Sequence, residues 1–130
     1  MLEFPAVVVH GPEDLRAALA AGRPLVLLSA PGAALYAGAL WWRALVAFGH
    51  ELAPGRITAD VLDCADAPGR ALEALALGQA ALVLDPGAAA FAEIAAVAAA
   101  QGALLLPVRP PALDLGERGA ARRLAAWLAR

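Results

Sequence analysis

The sequence predicts a single three-layer α/β/α domain over residues 1–130, with five strands in a mainly parallel sheet. Three observations predict it. Gly22, Gly49, Gly78 and Gly102 recur at spacings of 27, 29 and 24 residues, about one compact strand–helix unit. Each follows a helix-like segment and precedes an apolar run, as expected where glycine enters the left-handed conformation just past a helix. The runs at 25–29, 80–84 and 103–106 are continuously apolar, the pattern of strands covered on both faces in parallel sheets. Finally, 130 residues suffice for one hydrophobic core.

The elements follow in order. The first strand covers 6–9 and ends at His10-Gly11. Pro12 suits a first helical position, and Glu13 and Asp14 complement the positive end of the helix dipole, so a helix runs to about residue 21. Strand two covers 25–29, and Pro31-Gly32 turns it into one long helix over about 33–48. Strand three covers 57–63; Asp66 caps a helix with Pro68 in its first turn, ending near 77. Strand four covers 80–84, and Asp85-Pro86-Gly87 opens a helix to about 101. Strand five, 103–106, leads through a Pro-rich loop at 107–111 to a final helix over about 117–129. Its stripe of Ala120, Ala121, Leu124, Trp127 and Leu128 has helical periodicity.

Strand three alone alternates polar and apolar residues, with Thr58 and Asp60 between Ile57, Ala59 and Val61. Half-polar strands suit an edge. This favours the order 3-2-1-4-5 over the flavodoxin-like 2-1-3-4-5, with half-barrels as a further alternative.

Composition narrows the function classes. Hydrophobic residues make up 62% of the chain, much of it alanine, and the formal net charge is −2. All ten basic residues are Arg, a usage that fits a GC-rich bacterial genome. No basic stripe marks a nucleic-acid partner. Residues 24–42 carry no charge, but Pro31-Gly32 interrupts them and small residues fill them, so no membrane span is expected. The N-terminus lacks the basic and apolar regions of a signal peptide, which leaves a cytoplasmic location. Cys64 is the only cysteine, and with only His10 and His50 no metal site is expected. Neighbouring Asp63 and Asp66 argue against a nucleophilic Cys64.

No motif fixes a reaction or a cofactor: the dinucleotide fingerprint, the P-loop and the nucleophile elbow are all missing. Enzymatic activity is left open. In open parallel sheets, ligands bind beyond the carboxyl ends of the strands. The candidate ligand-binding residues there are His10, Ser29, Gly32, Asp85 and Arg109. In the favoured strand order, His10 and Asp85 come together as an acid–base pair, Ser29 supplies a hydroxyl, and the helix start after Gly32 offers free N–H groups to an anion. The expected ligand is a small molecule or an anion. The second helix raises a separate expectation. Arg43 is its only charge, and Tyr36, Leu40, Trp41, Trp42 and Leu45 cover more than one face. Such a helix needs a second cover, so a homodimer interface is expected there. An interaction module without catalytic activity is therefore the alternative to a ligand-binding domain.

Overall fold

The computed structural model describes residues 2–130. The elements are β1 (Ala6–Val9), α1 (Pro12–Ala20), β2 (Leu25–Ser29), α2 (Ala33–Tyr36), α3 (Ala39–Leu52), β3 (Ile57–Asp63), α4 (Pro68–Ala76), β4 (Ala81–Val83), α5 (Phe91–Ala100), β5 (Leu104–Leu106), β6 (Ala112–Asp114) and α6 (Ala120–Leu128). The expected class holds: a parallel sheet flanked by helices. The sheet has six strands where five were expected, in the order β5-β4-β3-β2-β1-β6.

That order corrects both expectations, 3-2-1-4-5 and 2-1-3-4-5. Each of the first five strands lies beside its sequence neighbour, and β3 sits between β2 and β4. Its polar residues are hydrogen-bonded within the fold, although Thr58 also reaches solvent. Thr58 Oγ1 donates to the Leu25 carbonyl at 2.9 Å. Asp60 Oδ1 accepts from Trp42 Nε1 at 3.0 Å, Arg43 Nη1 at 2.9 Å and Gln79 Nε2 at 2.8 Å. A polar strand residue is tolerated in mid-sheet when its partners come from the covering helix.

Several element boundaries differ from expectation for local reasons. The expected long helix is broken at Gly38, whose φ of 89° is left-handed, into a four-residue α2 and a longer α3. Gly22, Gly78 and Gly102 are left-handed after their helices, as expected. Gly49 is not; it lies inside α3, where a Cβ would stand 2.6 Å from Ile57 Cδ1. Its role is close approach of helix to sheet. Asp66 makes no cap, since α4 starts at Pro68 after an uncapped Ala67. Turns occupy 86–90, so α5 begins only at Phe91.

Strand alternation divides the core in two. One cluster joins Val7, Leu27, Leu62, Leu82 and Leu113 to the buried residues of every helix, among them Leu15, Trp42, Leu75, Ile94 and Leu124. The other joins Val8, Val26, Leu28, Val61 and Val83 to Leu2, Leu104, Leu106 and Ala112, with no helical residue. Val8, Val26, Leu28, Val61 and Val83 are nonetheless at most 5% exposed. The connection from β5 to β6 explains how. The two strands lie on opposite edges, yet only residues 107–111 join them. A flat sheet would separate the edges by about 24 Å across the strands, more than the roughly 20 Å that six residue steps can span once the return along the strands is added. The sheet therefore curls around the second cluster, with the helices outside.

Candidate functional site

The carboxyl ends of β1, β2, β3 and β6 bring together most of the polar chemistry on the inner face of the curl. His10 follows β1, and its Nε2 lies 2.6 Å from Asp114 Oδ1 at the end of β6. Asp114 is held by its own turn: Oδ1 also accepts from the Gly116 N–H at 2.8 Å, and its carbonyl accepts from the Glu117 N–H at 3.1 Å. Gly116 leaves room for the ring, since a Cβ there would stand 2.7 Å from His10 Nε2 and push the imidazole aside. On the other side, Asp14 Oδ2 accepts from the His10 N–H at 2.9 Å. Asp14 thus holds the His10 backbone and Asp114 its ring, and the carboxylate selects the tautomer with the proton on Nε2. Its Nδ1 makes no hydrogen bond to the described residues.

Beside this pair stands Arg109, which reaches across the mouth of the curl from the 107–111 connection. Nη1 lies 2.6 Å from Asp63 Oδ2, and Nη2 donates to the Ser29 carbonyl at 3.0 Å. Asp63 is buried, and its Oδ1 accepts from the Ala65 N–H at 2.7 Å. Partial desolvation raises the Asp114 carboxyl, but hydrogen bonds from His10 and the Gly116 N–H, with the charges of His10 and Arg109, outweigh it and hold the carboxyl below its ordinary value.

Of the expected site residues, His10 and Arg109 thus belong to one cluster, and Ser29 joins through its carbonyl. The Ser29 hydroxyl is fully buried and already committed, accepting from the Asp63 N–H at 2.9 Å and donating to the Ala30 carbonyl at 3.1 Å. The pairing of His10 with Asp85 is corrected. β4 lies three strands from β1, and Asp85 Oδ1 closes its own turn with the Gly87 N–H at 2.9 Å. The anion cradle after Gly32 is corrected too. The α2 helix has only four residues, and the Ala33 and Leu35 N–H groups already donate to Ala30 and Gly32 carbonyls. The partner that sequence reasoning missed is Asp114. Its signal is faint: Ala112-Leu113-Asp114 after two prolines alternates as a short edge strand does, in a stretch to which the sequence pattern assigned no element.

The cluster is rich in carboxylates. Asp63 and Asp114 face Arg109 and His10, and the one guanidinium is already engaged. A hydrogen-bonding, uncharged ligand fits this balance better than an anion. Asp114 lines a groove of about 470 Å³ between β6 and α6, of which His10, Ser29, Gly32, Asp85 and Arg109 are not part. Among the described residues, no three His, Cys, Asp or Glu side chains are grouped to hold a metal ion. Cys64 is fully buried, and burial, then the Asp63 charge, pushes its thiol up to about 12. A thiol held protonated is a poor nucleophile.

The expected interface residues separate. Trp42 and Leu45 are core residues of this chain, the indole spent on Asp60, so they are corrected as surface candidates. Tyr36 and Leu40 are exposed, at 71% and 72%, with Leu35 beside them and Trp41 half-buried. No helix is long and apolar enough to cross a membrane among the described residues.

Comparison with protein-family models, curated proteins and solved structures gave no match.

Proposed function

We propose that this domain binds a small polar molecule at the carboxyl edge of its sheet, with His10 as the group that exchanges a hydrogen bond or a proton with it. The observation that carries the reading is the 2.6 Å contact between His10 and Asp114. A carboxylate that orients an imidazole and fixes its tautomer leaves the other nitrogen available to a ligand. Arg109, tied to Asp63, sets the far side of the mouth. The parallel sheet adds the general tendency of such folds to bind ligands at this edge. A cytoplasmic setting agrees with a lone buried Cys64 that forms no disulfide.

The test is histidine NMR combined with ligand-observed NMR against pooled polyols, amines and carboxylic acids. A binder is expected to shift the ring signals of His10 and not those of His50, and to lose that effect in Asp114→Asn. The reading fails if no compound perturbs His10, or if binders act equally on Asp114→Asn.

A second reading has its own observation. Leu35, Tyr36 and Leu40 are exposed apolar residues, and a groove of about 250 Å³ on α3 is lined by Pro12, Trp41, Ala44 and Phe48 over the buried Leu45. We infer from it a homodimer formed through α2 and the start of α3. Light scattering at micromolar concentration is expected to give a dimer for the wild type and a monomer for Leu40→Glu. A wild-type monomer removes this reading.

A further inference from the structure

We propose that the groove between β6 and α6 receives an extended peptide segment of a partner protein, which adds as a strand to the free edge of β6. The argument starts from backbone hydrogen bonds. In the parallel pairing of β1 with β6, Ala6 stands opposite Ala112 and Val8 opposite Asp114, and the Val8 carbonyl accepts from the Leu115 N–H at 3.2 Å. This phase turns the N–H and C=O of Leu113 toward β1, and those of Ala112 and Asp114 away from it. The Asp114 carbonyl is used by Glu117. The Ala112 N–H, the Ala112 C=O and the Asp114 N–H are left pointing outward, with no partner among the described residues. An extended backbone matches that donor–acceptor row at the spacing a strand provides.

The surroundings favour such an occupant. Ala112, Leu113 and Asp114 form one wall of the groove of about 470 Å³. The opposite wall is the flank of α6 given by Arg123, Ala126 and Trp127, with Arg130 just beyond the helix end. Ala126 is small and exposed, so the groove has room for side chains on the helix side of an added strand. A second groove of about 290 Å³ shares Trp127 and Arg130 and extends the trough past Pro110 and Pro111 to Phe4. The curl argues for a single strand over a second copy of the chain. A lone strand continues the curved sheet toward β5, whereas a second sheet edge arrives with its own α6 on the side that α6 already occupies.

The inference is independent of the ligand reading above, with which it shares only Asp114. It is tested by selecting a displayed library of random octapeptides on the full chain. Enriched peptides are then measured by calorimetry and mapped by amide NMR. Two variants decide. Ala112→Pro removes one outward N–H and blocks the edge while the Leu113 bonds to β1 stay, and a proline is tolerated as the first residue of an edge strand. Ala126→Arg fills the groove from an exposed helix position. Enriched peptides are expected to shift the Ala112, Asp114 and Ala126 amides and to bind at least tenfold more weakly to both variants, whose circular dichroism matches wild type. The proposal is overturned if no peptide is enriched, or if peptides bind both variants as well as wild type. It is also overturned if the wild type is a dimer that Ala112→Pro converts to monomer, since a second copy then holds the edge.

Discussion

Asp114 shows how much one residue depends on its neighbours. Its carboxyl is held below the ordinary value, so it contributes stability that is present above that value and lost as pH falls through the lowered one. Asp114→Asn is therefore expected to lower Tm at neutral pH, with the gap from wild type closing in acid; thermal melts across pH check it. Gly116→Ala places a Cβ against His10 and is expected to displace the ring with little change in fold, read as a shift of the His10 signals. Removing Arg109 leaves the Asp63 carboxylate buried without its cation. Arg109→Ala is expected to cost about 3 kcal/mol in urea unfolding. Cys64 is expected to resist iodoacetamide at pH 8 until the chain is unfolded, followed by mass spectrometry. In the sequence, His10 and Arg109 were legible as candidates because polar residues just past an apolar strand are conspicuous, and the structure places both in one polar cluster. Asp114 was not, because its strand is three residues long and its pairing with His10 spans 104 positions.

At the scale of elements, α3 carries the clearest lesson. Read as a sequence, it had too many apolar residues for one face, and β3 had too many polar ones for a central strand. The two anomalies cancel. Trp42, Arg43 and Gln79 converge on Asp60, so the indole is buried in the monomer and the carboxylate is satisfied in mid-sheet. Composition alone cannot reveal this, since it depends on which helix face meets which strand. Trp42→Phe is expected to cost about 1 kcal/mol for the lost hydrogen bond. Asp60→Ala is expected to cost more, because three donors lose one acceptor; urea unfolding of both variants checks the order. Gly49→Ala drives a methyl into Ile57 and is expected to cost about 1–3 kcal/mol. The glycine rhythm located the units correctly while assigning Gly49 the wrong role: a helix stop and a tight helix–sheet contact leave the same letter in the sequence.

For the whole molecule, the class of fold was legible and the order of its strands was not. Repeated strand–helix units imply a parallel sheet, but whether the chain winds outward in both directions or advances one way is set by long-range packing. Here it advances from β1 to β5 and then returns to pair β6 with β1. That return has a consequence for the timing of assembly. Each of the first five strands meets its neighbour soon after synthesis, so those contacts close short loops and form early. The β1 edge opposite β2 has no strand to pair with until residues 112–114 arrive, more than a hundred positions later. A nascent chain halted at residue 106 is expected to hold the first five strands while presenting an open β1 edge, the species most prone to wrong pairing. In the complete chain, β6 and α6 are expected to dock last in refolding, so substitutions there speed unfolding and leave the folding rate nearly unchanged.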